Sequence, residues 1–455
     1  MKHSYFYYFY HFTILLTIIL GYNKAFSQKH DFNRLQTIFT WDGDFGVAKI
    51  EVDSIRDTIM YGPIFTKNYL PFRNNICMSD SLGNFIFGSN CIEVFDRNFN
   101  LMRFGDSLSK IGSYSDKTMY PPQDEVQYGY PSGFINPIPL PGKANEYVFF
   151  HTTWYFDELR RYSQALHYCR IDMNVQNGIV VEKNELIHAN ATDKPILIKH
   201  GNGVDWWMIS ANRWNTDIYI YLINSQGIIG PKIKQVGTAA DSTKWYQLIY
   251  NHNRLSASPD GDVIASQKTS CVDFFKFDRC SGDISMIQKV SQFELVSSFM
   301  FINAFEWSSY SNNYFYSIRS ELFQINTENQ DEIAPPKKVG QVTSPYGISF
   351  FNRLFNKMIV GQFRSISSPP FLGIVSDSEL SGAKPQLSSN LFYNFPAHSP
   401  IGNFGFLPNN PNYYLGKVTS SGVCKEDTYF NNALMSNESF TKDGKEYYKL
   451  LRKFE

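Results

Sequence analysis

The chain has 455 residues, with 42 Lys and Arg against 42 Asp and Glu. A net charge of zero removes the electrostatic basis for binding nucleic acid or an anionic membrane surface. Hydrophobic residues at 43% and charged ones at 18% exclude a largely disordered chain, and the 16% aromatic share suits strands, whose pleated surface favours such side chains.

Taken from the start, residues 1–27 read as an export signal. Lys2 and His3 give a basic start, Phe12 to Leu20 form a short apolar core, and Ala25 and Ser27 place small residues before a cleavage point. That core is too short to cross a bilayer about 30 Å thick. Nothing later resembles a membrane span, so the expected mature protein is periplasmic, extracellular or on the cell surface, without stable membrane insertion. Six cysteines (Cys77, Cys91, Cys169, Cys271, Cys280 and Cys424) permit disulfides in that compartment without choosing a pairing. Cys77 and Cys91 flank an expected hairpin and could meet. Cys271 and Cys280 lie along one expected strand, too far apart to pair.

The main signal is a recurring apolar strand that ends on Asp or Asn. Its ends fall at Asp53, Asp96, Asp172, Asn224, Asp278, Asn326 and Asp377, spaced by 43, 76, 52, 54, 48 and 51 residues. A second phrase, Ser79-Asp80-Ser81-Leu82-Gly83 and Ser258-Pro259-Asp260-Gly261, supplies tight turns. No segment has helical periodicity. Units of about fifty residues, each a small antiparallel sheet, point to an all-β fold, a single β-propeller of seven blades over residues 28–424. The 76-residue gap marks a long loop at 106–131, a functional candidate because of its length. Residues 391–416 are expected to help close the ring, and 425–455 read as a C-terminal tail.

Several words then occur together in order: Ser79 to Phe87, Ile171-Asp172-Met173, His200 to Trp207, Ser258 to Gly261, Phe277 to Gly282 and Leu407 to Gly416. This set resembles a family of secreted propeller-like proteins of Bacteroidota, many with a C-terminal type IX secretion sorting domain. The resemblance covers roughly residues 36–424 and implies fold and export rather than a chemistry. The sequence departs from sorted members at its end, where about 30 residues follow Cys424, too few for an immunoglobulin-like sorting domain.

The densest candidate site is His200-Gly201-Asn202-Gly203-Val204-Asp205-Trp206-Trp207. His200 and Asp205 could act as a base and its orienting partner, with Asn202, Trp206 and Trp207 binding a ligand such as a sugar ring or cation. The same residues could instead pin a turn between blades. His151 is a further catalytic candidate, and with His200 it could meet a metal near a central channel. Asp42, Asp44, Asp260 and Asp262 are read as plain acidic turns. No metal site and no cofactor are expected. The motifs of serine hydrolases, zinc proteases and nucleotide-binding loops are missing. The leading expectation is a non-enzymatic binding or scaffold module at the cell envelope, its partner an unspecified glycan, peptide or envelope protein. The alternative is a hydrolase or lyase acting on extracellular glycans or lactones.

Overall fold

The computed structural model describes residues 37–42, 46–53, 58–65, 76–108 except 81 and 90–92, 131–156 except 133–134 and 136, 162–239 except 192–194, 254–291 except 269–270, 302–341 except 309–311, 319–320 and 330–331, 350–375 except 355–356 and 363–370, and the short pieces 387–388, 392–393, 415, 424, 440–442, 445–447 and 452–453. Most of the loop at 106–131, together with Cys91, Asp44 and residues 1–36, lies outside the described residues.

Every regular element among them is a β-strand. Strands β1 (Thr37–Asp42), β2 (Gly46–Asp53) and β3 (Thr58–Phe65) form a first meander, and β4 (Ile76–Ser79), β5 (Phe85–Ser89) and β6 (Val94–Phe95) a second. The third sheet holds the short β7 (Pro131–Ser132) and β8 (Ile138–Pro139), both paired with β9 (Glu146–Phe156), followed by β10 (Tyr162–Asp172) and β11 (Ile179–Ala189). The fourth is β12 (Ile196–Lys199), β13 (Trp206–Ala211), β14 (Asp217–Asn224) and β15 (Gly227–Gln235). The fifth is β16 (Arg254–Ala257), β17 (Val263–Gln267), β18 (Val272–Phe277) and β19 (Ile284–Val290). The sixth is β20 (Ile302–Trp307), β21 (Asn313–Ile318), β22 (Glu321–Asn326) and β23 (Lys337–Gln341). Strands β24 (Phe350–Leu354), β25 (Lys357–Gln362), β26 (Phe371–Val375) and β27 (Leu387–Ser388) make a further sheet.

First strands of neighbouring sheets touch, β1 with β4, β12 with β16, β16 with β20 and β20 with β24. The sheets also pack face to face. Phe87 and Ile76 meet Phe149 and Ile171; Phe150 and Tyr168 meet Trp206 and Tyr221; Trp207 and Ile209 meet Ile264 and Phe275; Phe274 and Val272 meet Trp307 and Tyr316. This is the radial stacking of a β-propeller, with a core between each of these four pairs of neighbouring sheets. Its consequence is that inner strands are buried on both faces. All six residues of β13 and all five of β17 are buried, so these strands lack the strict apolar–polar alternation of a half-solvated sheet.

The Asp or Asn at the strand ends has a local cause. Its side-chain Oδ1 accepts the backbone N–H two residues on, at Asp96, Asp172, Asn224, Asp278 and Asn326, over 2.8, 2.8, 2.8, 2.8 and 3.0 Å. Such a turn satisfies backbone groups that the ladder has released. In the second to sixth sheets this residue ends or directly follows the third strand, whereas Asp53 ends the second strand of the first sheet. The first spacing is therefore not a blade-to-blade distance.

Residues beyond the last full sheet return to earlier ones. Strand β28 (Phe392–Tyr393) adds in parallel to β3. Within the expected tail, β29 (Phe440–Lys442) and β30 (Lys445–Tyr447) form a hairpin, and β31 (Arg452–Lys453) adds to β15 as a fifth strand of the fourth sheet. Cys280 and Cys424 form a disulfide, with Cα atoms 5.1 Å apart, while Cys271 is not bonded to Cys280. Leu415 packs against the core between the fourth and fifth sheets.

Candidate binding site

In each four-stranded meander the first-to-second and third-to-fourth turns lie on one rim, and the second-to-third turns and inter-sheet crossings on the other. The predicted His200 site is the first-to-second turn of the fourth sheet. The His200 N–H donates to the Asp205 carbonyl over 2.8 Å, which closes a six-residue loop, and Asn202 organises its interior. Asn202 Oδ1 accepts from the Val204 and Asp205 N–H groups at 2.9 and 3.0 Å, and Asn202 Nδ2 donates to Asp205 Oδ2 at 2.7 Å. His200 Nδ1 accepts from the Asn202 N–H at 3.0 Å. Burial lowers the His200 pKa and raises that of Asp205, so both groups resist ionisation.

The loop docks onto the fifth sheet. Gly201 N–H and Trp207 Nε1 both donate to the Arg279 carbonyl, at 2.8 and 2.7 Å, and Arg279 Nε donates back to the Lys199 carbonyl at 2.9 Å. Gly282, at φ 68°, lies so close to Trp207 that a Cβ there would stand 2.8 Å from the indole. Trp206 and Trp207 are 2% and 0% exposed and enter two different inter-blade cores. This corrects the reading of the pair as a ligand platform, because alternation along β13 buries one ring on each side of the sheet. Asn202 and Asp205 are engaged with each other, and His200 packs on Trp207 at 5.0 Å.

His151 does not join this group. It sits in mid-strand on β9, 0% exposed, and its Nε2–H donates to Asn184 Oδ1 at 3.1 Å. Asn184 Nδ2 donates to the Leu108 carbonyl at 2.8 Å, which fixes the amide orientation and with it the histidine tautomer. His167 stacks on His151 at 5.5 Å, and Cys169 Sγ lies 3.9 Å from His151 Nε2. Desolvation lowers His151 to about 3 and His167 to about 4, and pushes the Cys169 thiol up to about 12. The three are neutral groups sealed in a core, whereas a general base works best with a pKa near the operating pH and a thiol nucleophile needs a lowered one. Among the described residues no group of three His, Cys, Asp or Glu is placed to hold a metal ion. Asp260 is occupied as a turn residue: its carboxylate accepts from Ser258 Oγ, the Asp262 N–H and Asn312 Nδ2. Burial and the Asp260 charge push Asp262 up to about 6.

The opposite rim holds a turn that the sequence reading passed over. Residues 212–217 close with an Asn212 N–H to Asp217 carbonyl bond of 2.7 Å. Asn212 Oδ1 accepts from the Trp214 and Asn215 N–H groups at 2.8 and 3.3 Å, and its Nδ2 donates to Tyr219 Oη at 3.2 Å. Arg213 is 0% exposed, with its guanidinium carbon 5.3 Å from the centre of the Trp214 ring, while Trp214 is part-exposed. Asn215 Nδ2 and Gln235 Nε2 both donate to the Asp217 carboxylate, at 2.8 and 3.0 Å. Farther along the rim, Asp273 is buried against Lys268 Nζ at 3.0 Å and the Thr238 N–H at 2.7 Å, which ties Thr238, just beyond β15, to the fifth sheet. The signal available in the sequence was Ala211-Asn212-Arg213-Trp214-Asn215-Thr216-Asp217, an Asn-led loop between two apolar strands like the one at 200–205.

No protein-family profile and no curated protein matches the chain. Among solved structures it is similar to a 6-phosphogluconolactonase-like protein of Bacteroides uniformis, described as putative, at 13% identity and TM-score 0.43, covering 78% of this chain and 100% of that one. It is similar to dipeptidyl peptidase 4 of Porphyromonas gingivalis at 12% identity and TM-score 0.35, over 76% of this chain and 49% of that one. A third similarity is to an exo-β-1,3-galactanase of Clostridium thermocellum, at 9% identity and TM-score 0.29, over 56% and 60% of the two chains. These likenesses assign no activity to this chain.

Proposed function

We propose that the protein is an exported binding module, a seven-bladed ring that takes a ligand on the rim carrying the 212–217 turn. One contrast carries this reading. The side chains with catalytic potential in the sequence are committed to joining blades or sealed in a core, whereas Trp214 is held part-exposed on a turn ordered by its own hydrogen bonds. A rigid aromatic side chain binds with little ordering cost. Export and the Bacteroidota resemblance belong to the same proposal. The Cys280–Cys424 disulfide supports export, because structural disulfides persist in oxidising compartments.

The test is incubation of the protein with extracellular glycans and lactones, monitored for product. Expected is no turnover, with ligand-dependent thermal stabilisation by at least one compound. Turnover that is lost in His200→Ala or His151→Ala, with the unliganded melting midpoint unchanged, would replace the binding module with an enzyme.

A further inference from the structure

We propose that the 212–217 turn is a subsite for one neutral pyranose ring of a glycan, stacked on Trp214. This rests on the binding-module reading above and adds the ligand class. The buried Arg213 guanidinium lies over the Trp214 ring, 5.3 Å from its centre, and Trp214 keeps part of its surface exposed. The backbone that carries the ring is fixed at both ends, by Asn212 Oδ1 on the Trp214 N–H and by the Asn212–Asp217 closure. Beside it stand the exposed amides of Asn215 and Gln235, both bonded to the Asp217 carboxylate.

The chemistry of this set selects a ligand. A pyranose has one face of C–H groups, which an indole covers, and a rim of hydroxyls, which amide and carboxylate oxygens and amide N–H groups satisfy. A cationic ligand is disfavoured because Arg213 already places a positive charge against the ring. An anionic one is disfavoured by Asp217 on the same turn. A proline-rich peptide would use the ring in an aromatic groove but would have less use for the three polar side chains gathered beside this turn. The amphipathic neutral sugar uses both halves of the site.

The experiment is affinity electrophoresis of the full-length protein through gels containing laminarin, xyloglucan or galactomannan, followed by calorimetry on the retarding polysaccharide. Polygalacturonate, tetramethylammonium and a proline-rich decapeptide serve as comparison ligands. At least one neutral polysaccharide is expected to retard the protein. Trp214→Ala should raise Kd by about tenfold or more, Trp214→Phe should recover part of the loss, and the exposed Asn215→Ala should weaken binding with the melting midpoint unchanged. Neutral glycan binding at wild-type affinity in Trp214→Ala places the glycan elsewhere and sinks this subsite, while the binding-module reading survives. Trp214-dependent binding of the peptide or of tetramethylammonium alone leaves the platform but overturns the glycan class. Failure of every polysaccharide to bind overturns it as well.

Discussion

Two turns of the fourth sheet, 200–205 and 212–217, use nearly the same local construction and reach opposite ends. Each is a six-residue loop closed by an N–H to carbonyl bond onto its terminal Asp, and in each an Asn side chain caps two backbone N–H groups. The first is pressed against the next blade, where the Arg279 carbonyl accepts from both its glycine and the adjacent Trp207. The second holds an Arg inward and leaves a Trp part-exposed. Local hydrogen bonding thus makes the loop, and the neighbouring sheet decides whether the loop is a joint or a surface.

The strongest way to break this comparison is to delete one indole from each site. Trp207→Ala removes a fully buried ring between two blades and its bond to Arg279, and is expected to cost about 3–5 kcal/mol in urea unfolding. Trp214→Ala should cost about 1 kcal/mol or less, because its side chain is part-exposed. Equal costs would mean that both turns are joints.

A smaller effect separates the two rims from the sealed core of the third sheet. His151 and His167 have folded pKa values of about 3 and about 4, below the ordinary 6.5. The unfolded chain therefore binds more protons between pH 6.5 and about 4, and stability contributed by these neutral rings is full above 6.5 and falls as pH drops through that window. Each histidine should cost up to about 1.4 kcal/mol per pH unit there. The melting midpoint of His167→Gln should fall less steeply with acid than that of the wild type; equal slopes would remove His167 as a source.

Smallest of all, Asn202→Ala and Asn212→Ala should each cost about 1 kcal/mol by leaving two turn N–H groups without their side-chain acceptor. Urea midpoints of the two variants sharpen the comparison. A much larger loss at Asn202 would show that its link to Asp205 also holds the inter-blade joint.

The strand-end residues were legible because their cause is local: an Asp or Asn at that place caps its own turn, whatever surrounds it. The alternation of Trp206 and Trp207 between two faces was legible for the same reason, since a strand has a period of two. Their burial was not. A sheet with one wet face and a sheet packed on both faces can carry the same Trp-Trp pair, and only the neighbouring blades fill the second side. His151 read as a catalytic candidate because a histidine at a strand end looks accessible; the structure puts it in mid-strand, with Asn184 and His167 brought from later strands. Trp214 was overlooked because its loop holds no histidine–carboxylate pair, and its interest comes from exposure, which no spacing reports.

The sequence by itself determined an all-β chain of short antiparallel sheets with capped turns, because turn chemistry and strand propensity act over a few residues. Only the tertiary structure decided which rings are core and which are surface, which cysteine meets Cys280, and that Arg452 and Lys453 pair with β15. Those outcomes depend on contacts between segments as far apart as 144 residues in the case of the disulfide. Desolvation and packing are properties of the assembled neighbours, so they fix a side chain's role only after the blades have met.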